Sequence, residues 1–323
     1  MKPKESMKLF GTDGIRSKAG AFPLDQATVR IVGASLAAHL AEKLGGKQPH
    51  IVVGRDTRES GKQIELDLTL GARSSGASIE SAGVITTPGV AFLTRALHAD
   101  AGVVISASHN PYQDNGIKIF DPSGRKLDNS TEAKIEADIA SGEFAAAVTT
   151  DEKLAVGEES QRDLRELYLN YLQHEVAGDL SLRGLTLVVD CANGAASDLA
   201  PQLFARLGAN AVSINNHPDG RNINFSCGSL HIEGLQERVV TEGADIGIAF
   251  DGDADRALFV DAGGNFVDGD ATMWVLANYL NAQGELAARL VVSTVMTNLG
   301  LEVALRTRGI KLTRTAVGDK YVL

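Results

Sequence analysis

The stretch Ser106–Lys118, with the sequence SASHNPYQDNGIK, decides how the rest of the chain is interpreted. It follows the apolar run Ala101–Ile105, which predicts a fully buried strand. Its last three residues begin a second predicted strand, residues 116–120, which is apolar apart from Lys118. Open α/β sheets bind ligands just beyond the carboxyl ends of their strands, so hydroxyls, an imidazole and a rigid proline at this point indicate an active site. Ser108 with His109 beside it offers a nucleophile next to a proton carrier.

A polar surface loop that caps a helix is the alternative interpretation, and it is the usual one for Ser-Asn-Pro clusters. Lys118 weakens this alternative because it lies between Ile117 and Ile119 in a predicted strand. A charge in such a position is costly unless it has a partner. We therefore expect an anionic partner beside Lys118.

The composition is ordinary for a soluble globular enzyme. The 323 residues suit two or three domains, with 44% hydrophobic and 22% charged residues. The net charge of −10 argues against a general nucleic-acid-binding role, and it requires a local concentration of Arg and Lys wherever an anionic substrate binds. The first residues lack the apolar core of a signal peptide and no apolar run approaches membrane-spanning length, so we predict a cytoplasmic location. Cys191 and Cys227 lie too far apart for a redox or zinc motif and fit a reducing compartment.

Predicted strands and helices alternate along the chain after a turn-rich start at residues 9–16. This alternation indicates an α/β fold of successive similar βαβ-type domains, with mixed, mostly parallel sheets between helices. Three similar runs lead into a polar loop and a helix, and they are Ile51–Val53, Leu187–Val189 and Leu290–Val292. The Ala- and Thr-rich segment 143–157 has no clear period and predicts a linker. Domains are predicted over residues 1–150, 151–256 and 257–323. The last is expected to be incomplete, because ordinary domains run to about 100–150 residues.

A second unusual loop follows the predicted strand 245–250. Its three aspartates, separated by single small residues, are Asp251, Asp253 and Asp255. In an extended segment alternate side chains share a face, so the carboxylates converge, and their repulsion is costly without a cation. All-oxygen ligands favour magnesium, manganese or calcium over zinc. An EF-hand is excluded because Arg256 would take the place of its glycine. A solvated acidic turn is the alternative, but it does not explain why single Gly and Ala residues separate the three aspartates. We therefore expect a metal site on a polar surface loop.

A hydroxyl nucleophile and a divalent-cation site together describe phosphoryl transfer through a phosphoserine. With these two loops the chain resembles the α-D-phosphohexomutases. The motifs that carry the resemblance span nearly the whole chain in the family's order, and they are Phe10–Arg16, Val53–Gly61, Ile105–Pro111, Asp114–Lys118, Asp251–Arg256 and Val317–Val322. The first and the last of them point to the glucosamine branch.

The resemblance implies a set of site residues. The implied catalytic residues are Arg16, Ser108, His109 and Lys118. The implied substrate-binding residues are Arg16, Lys118 and Arg256. The implied ligands of a Mg²⁺ cofactor are Ser108, as a phosphoserine, with Asp251, Asp253 and Asp255. Either Lys118 or His109 would handle the proton of the sugar hydroxyl.

The implied reaction interconverts glucosamine 6-phosphate and glucosamine 1-phosphate, on the route to UDP-N-acetylglucosamine. A bisphosphorylated sugar forms, reorients and returns its other phosphate to the serine. The expected partners are hexosamine phosphates and bisphosphates and a second copy of the chain in a homodimer, with no nucleic acid and no membrane. Two alternatives are a phosphomannomutase/phosphoglucomutase, which shares these catalytic motifs, and a sugar-phosphate-binding protein without catalysis.

Departures from the family pattern carry two further expectations. The family has four domains and this chain stops inside the third, so we expect a fragment without the loops that recognise the sugar and anchor its distal phosphate. The segment Asn224–His231 differs from the usual pattern near Leu230, and no site is predicted there.

Overall fold

The structure, a computed structural model, describes residues 8–11, 14–144 and 158–322. Apart from residues 143 and 144, the predicted linker 143–157 lies outside the described residues. Three α/β units follow one another along the described chain. Within these ranges no helix combines the length and the apolar character that crossing a membrane requires.

The first unit is a mixed five-stranded sheet with helices packed against it. Its strands are β1 (Ile15–Lys18), β2 (His50–Arg55), β3 (Ser78–Val84), β4 (Ala101–Ile105) and β5 (Asp114–Phe120). Their order is β1-β5-β4-β2-β3, in which β2 pairs in parallel with β3 and β4, and β5 runs antiparallel to β4 and β1. Its helices are α1 (Gln26–Lys43), α2 (Gly61–Ser74), α3 (Thr87–Ala96) and α4 (Asn129–Ser141). Strand β1 begins within the last two residues of the predicted turn-rich start 9–16 and was not predicted, because an edge strand of only four residues has almost no alternating pattern.

Helix starts in this unit follow local capping chemistry. The carboxylate of Asp25 accepts a hydrogen bond from the backbone N–H of Thr28 at 3.1 Å and caps α1. Thr86 caps α3 through Gly89, and Asp128 caps α4. Each such cap contributes about 1 kcal/mol to the helix it starts.

The second unit repeats the topology of the first. Its helices are α5 (Glu158–Tyr171), α6 (Ala196–Arg206) and α7 (Glu233–Glu242). Its strands are β6 (Thr186–Asp190), β7 (Asn210–Ile214), β8 (Ile246–Phe250), β9 (Ala257–Asp261) and β10 (Phe266–Val267). The order β10-β9-β8-β6-β7 places β6, β7, β8 and β9 where the first sheet has β2, β3, β4 and β5, with the same relative directions. Helix α5 packs back on the first sheet, since Leu164 and Tyr168 are buried in one cluster with Val52 and Val104.

This repeat fixes where the two unusual loops lie. The loop that carries Ser108 connects β4 to β5, and the loop with the three aspartates connects β8 to β9. Both therefore leave the carboxyl ends of equivalent strands, which is where α/β sheets place their sites. Since β9 and β10 pair within the second sheet, we propose that the second domain boundary lies after Val267 rather than after Arg256.

The third unit contains the parallel pair β11 (Leu290–Thr294) and β12 (Lys311–Thr315). Its helices are α8 (Gly269–Gln283), α9 (Leu299–Thr307) and α10 (Asp319–Val322). The three similar apolar runs of the sequence lie in β2, β6 and β11, and each of these strands pairs in parallel with the next strand of the chain. The prediction of successive similar α/β domains with mixed sheets is confirmed, with five parallel and four antiparallel pairings among the described strands.

Candidate active site

The loops of the first and second units meet at Ser108. Its buried Oγ donates a hydrogen bond to Oδ2 of Asp251 at 2.6 Å, across a sequence separation of 143 residues. Nη2 of Arg256 donates to the same Oγ at 2.6 Å, and Nδ1 of His109 lies 3.4 Å from it. The nucleophile predicted from one loop therefore lies among charged groups predicted from the other.

The backbone of Ser108 is held in a left-handed conformation, with φ of 52°. Such a residue costs about 1–3 kcal/mol and persists only where its surroundings hold it. Here the N–H of Ser108 donates to Oγ of Ser106 at 2.8 Å, while its carbonyl accepts from Arg58 and Asn224, each at 2.9 Å. The hydroxyl of Ser106 donates to Asp56 at 2.7 Å, so Ser106 supports the loop through Asp56, whereas the hydroxyl of Ser108 is the one that contacts Asp251.

Arg58 anchors the whole loop from a fully buried position. Its Nε donates to Oδ2 of Asp56 at 2.9 Å, and burial raises the pKa of that carboxyl although the Arg58 charge opposes the rise. Its terminal nitrogens donate to four backbone carbonyls, those of Ser108, Asn110, Pro111 and Asp114. All five donors of the guanidinium are thus used. No role was assigned to Arg58 from the sequence, although it belongs to the quoted motif Val53–Gly61.

The three aspartates converge, as predicted, with carboxylate oxygens within 4.8 Å of one another. The backbone that brings them together is a turn, so the predicted extended segment is wrong. Ala254 has φ of 54°, and its N–H donates to the carbonyl of Asp251 at 3.0 Å. The predicted surface position is also wrong for Asp251 and Asp253, which are fully buried because the first unit covers them.

Lys118 has the anionic partners that its position in a strand requires. It lies on β5, it is buried, and its Nζ donates to Oδ2 of Asp253 at 2.8 Å and to Oδ2 of Asp255 at 3.0 Å. Arg16 reaches the same site from β1, opposite Gly116 of β5. Three cationic side chains and three carboxylates from the first two units thus lie together at the site, and they are Arg16, Lys118, Arg256, Asp251, Asp253 and Asp255.

The electrostatics of the site reflect this crowding of charge. Burial, together with the charges of Asp253 and Asp255, raises the pKa of Asp251 to about 7. Burial opposes ionisation of Asp253 too, but the Lys118 ammonium, the Thr87 hydroxyl and the charge of Arg16 together outweigh it and hold the pKa of that carboxyl below its usual value. Burial and then the charges of Arg256 and Arg16 lower the pKa of His109, which favours the neutral imidazole. The aspartates therefore resist ionising together unless a further cation binds.

The residues present fit a hard divalent cation. Oδ2 of Asp253 accepts two hydrogen bonds, whereas its Oδ1 is buried and accepts none from the described part of the chain. A buried carboxylate oxygen without a donor is costly, and a cation bound among the three carboxylates would satisfy it. The other oxygens at hand are those of Asp251, Asp255 and Ser108, and all-oxygen sets suit Mg²⁺, Mn²⁺ or Ca²⁺.

Close approach of the two loops depends on Gly252. A Cβ added there would lie 2.6 Å from the carbonyl oxygen of Ser108 and 2.9 Å from Nδ2 of Asn224. Both distances are shorter than any ordinary contact of a side chain. Asn224 lies in the segment for which no site was predicted, and its hydrogen bond to the Ser108 carbonyl is a supporting contact that the sequence did not predict. The sequence gives little indication of the role of Asn224, because asparagine is common in irregular loops.

Comparison with known proteins places this geometry in a class. Family models described as phosphoglucomutase/phosphomannomutase, alpha/beta/alpha domains I, II and III, match residues 7–146, 166–264 and 268–323 in succession. The phosphoglucosamine mutase of Solibacter usitatus is 50% identical over 315 residues, which are 98% of this chain and 69% of the relative. That of Rhodococcus opacus is 49% identical over 317 residues, covering 98% of this chain and 70% of the relative. The chain therefore belongs to the phosphoglucosamine mutase family of the phosphohexomutases.

Solved structures share the fold. A phosphoglucomutase/phosphomannomutase family protein from Burkholderia thailandensis superposes with a TM-score of 0.79 at 25% identity, covering 98% of this chain and 68% of the other. The N-acetylphosphoglucosamine mutase of Aspergillus fumigatus, solved with GlcNAc-6P and magnesium, has a TM-score of 0.58 at 20% identity, covering 100% of this chain and 65% of the other. At such identity the second likeness concerns the fold alone.

Proposed function

We propose that this chain carries out phosphoryl transfer through Ser108 and interconverts glucosamine 6-phosphate and glucosamine 1-phosphate. The observation that carries the proposal is the position of the Ser108 hydroxyl, 2.6 Å from the Asp251 carboxylate and 2.6 Å from the Arg256 guanidinium. A phosphoryl group on that oxygen would have the carboxylates of the proposed metal site on one side. On the other side, the Arg256 guanidinium would neutralise part of its negative charge. Transfer of such a group depends mainly on positioning and charge stabilisation.

The proposed transfer begins from a phosphorylated Ser108. A sugar hydroxyl oxygen attacks phosphorus, the bond between phosphorus and Oγ breaks, and its electron pair stays on Oγ, where Arg256 donates a hydrogen bond. The hydroxyl proton passes to His109, whose lowered pKa favours the neutral imidazole. Lys118, the other nitrogen at the site, could accept it only after giving up a proton of the ammonium that donates to Asp253 and Asp255. The bisphosphorylated sugar then reorients, and the reverse transfer from its other phosphate regenerates the phosphoserine.

Mg²⁺ is the proposed cofactor, held by Asp251, Asp253, Asp255 and the phosphate on Ser108. When bound, it supplies positive charge next to the transferring phosphoryl oxygens. Arg16, Lys118 and Arg256 are proposed to bind the substrate, because a chain with a net charge of −10 has to gather cations where an anion binds. The cytoplasmic location and the homodimer stay predictions from the sequence.

Phosphorylation of the serine is the first test. After incubation with a hexose bisphosphate and Mg²⁺, we expect intact-mass analysis to show one added phosphoryl group, and peptide mapping to place it on Ser108. Ser108→Ala should remove the label. A label on Ser106, or one that survives Ser108→Ala, contradicts the proposed nucleophile.

The cation site has its own test. Replacing any one of the three aspartates with asparagine should weaken Mg²⁺ binding in titration calorimetry. Asp261→Asn is the matched control, since this exposed carboxylate of the same unit only holds the turn to Asn265. Unchanged affinity in all three site variants would refute the carboxylate site.

The substrate is the last part of the proposal to test. The relatives that are named phosphoglucosamine mutases are about half identical to this chain, which favours glucosamine phosphate over mannose and glucose phosphates. Turnover with each of the three sugars decides between them, and a preference for mannose or glucose phosphate would contradict the assignment.

A further inference from the structure

We propose that Thr87 is a positioning residue of the cation site, an inference that rests on the site proposed above. Thr87 is the first residue of α3 and belongs to the first unit, whereas Asp253 belongs to the second. Its Oγ1 donates to Oδ2 of Asp253 at 2.6 Å, and its N–H donates to the carbonyl of Asp253 at 2.9 Å. One residue thus holds both the side chain and the backbone of the central aspartate, 166 residues further along the chain.

These contacts determine which carboxylate oxygen is available to a ligand. Oδ2 of Asp253 is occupied by Thr87 and by Lys118, while the buried Oδ1 accepts no hydrogen bond from the described residues. Rotation of the carboxylate away from this orientation would break both of these hydrogen bonds. Thr87 and Lys118 together therefore leave Oδ1 as the oxygen of Asp253 that is open to a cation, in a carboxylate that lies close to those of Asp251 and Asp255. Outer hydrogen bonds of this kind orient metal ligands.

The hydroxyl of Thr87 is not needed for the helix that it starts. Thr86 supplies the cap of α3, since its Oγ1 accepts from the N–H of Gly89 at 3.1 Å. Thr94 in the same helix shows the ordinary alternative, because its Oγ1 donates to the carbonyl of Val90 at 2.8 Å, within its own helix. The buried hydroxyl of Thr87 instead reaches out of its unit, and Asp253 is the group it contacts.

The experiment compares Mg²⁺ affinity in four proteins by titration calorimetry: wild type, Thr87→Val, Thr87→Ser and Thr94→Val. Thr87→Val keeps the shape and removes the hydroxyl, and we expect affinity to fall by about 10- to 100-fold, the usual effect of losing such a partner. Thr87→Ser restores the donor and should restore the affinity. Thr94→Val makes the same change in the same helix away from the site and should leave the affinity unchanged.

Thermal unfolding checks that each variant folds, and Thr87→Ala replaces Thr87→Val if the latter does not. The inference is overturned if the variant without the hydroxyl binds Mg²⁺ as wild type does, or if Thr87→Ser binds as weakly as Thr87→Val. Asp253→Asn separates this failure from failure of the site itself. If Asp253→Asn lowers the Mg²⁺ affinity while Thr87→Val does not, the proposed cation site is supported and only the proposed role of Thr87 is refuted. If the wild-type protein binds no Mg²⁺, both the cation site and the role of Thr87 are refuted.

Discussion

Replacing Gly252 with alanine should separate the two loops of the site without touching any charged group. The added Cβ would lie 2.6 Å from the Ser108 carbonyl oxygen, 2.8 Å from Cδ1 of Ile223 and 2.9 Å from Nδ2 of Asn224. Ordinary contacts of a Cβ begin at 3.4 Å. Ile223 can rotate away, but the Ser108 carbonyl is backbone and is held by Arg58, so the loops have to separate by about 0.8 Å.

The expected cost follows from that displacement. A misplacement of about 1 Å lowers the rate of a positioned reaction by about 100-fold, so we expect phosphorylation of Ser108 by a hexose bisphosphate to slow to that extent. Overpacking should also lower the free energy of unfolding by about 1–3 kcal/mol. Because the Asp251 contact to Ser108 lengthens, Mg²⁺ affinity of the phosphorylated protein should fall as well.

The assay follows the mass of the intact protein with time, at saturating donor and Mg²⁺, for wild type and Gly252→Ala. Gly234→Ala is the matched control, since a Cβ added in that position of α7 meets nothing within 4 Å. The control should phosphorylate at the wild-type rate. A Gly252→Ala protein that also reacts at the wild-type rate would refute the reasoning that contact between the loops sets the geometry of transfer.

The remaining predictions concern groups that support the site or lie apart from it. Replacing Arg58 with Met should lower the free energy of unfolding by about 3–5 kcal/mol in denaturant titrations, because the buried Asp56 carboxyl would lose its ionic partner and the four loop carbonyls would lose their donors. A loss below about 1 kcal/mol would contradict this. Ser106→Ala removes the hydrogen bonds to Asp56 and to the backbone N–H of Ser108 and should lower the free energy of unfolding by about 1–3 kcal/mol. Peptide mapping should still find the phosphoryl label on the loop that carries Ser108. Burial raises the pKa of Cys191 and of Cys227 to about 12. At pH 8 both thiols should therefore stay unreactive toward a thiol reagent until guanidinium unfolds the protein. Rapid labelling of the native protein would contradict this prediction.

Local order was predictable because it depends on neighbours in the chain. The cap at Asp25, the helix Asn129–Ser141 and the three apolar runs that became parallel strands follow from periodicity and capping within a few residues. The two unusual loops were recognisable for a similar reason, since hydroxyls beside an imidazole, or aspartates at alternate positions, are conspicuous directly after a buried strand.

The positions of the supporting residues were not predictable, because their partners lie far away in the sequence. Arg58 binds carbonyls about 50 residues on, Asn224 reaches back 116 residues to Ser108, and Thr87 meets an aspartate 166 residues away. Nothing in the local pattern of these segments specifies such donors.

The sequence by itself determined the chemical groups of this protein and the strands that carry them. Only the tertiary structure decided that the β4–β5 loop of one sheet faces the β8–β9 loop of the next, with Gly252 against the Ser108 carbonyl and Asp251 buried beneath it. The physical reason is that each unit buries its own sheet through local periodicity, whereas the contact between units depends on shape and on hydrogen bonds that form only after both have folded.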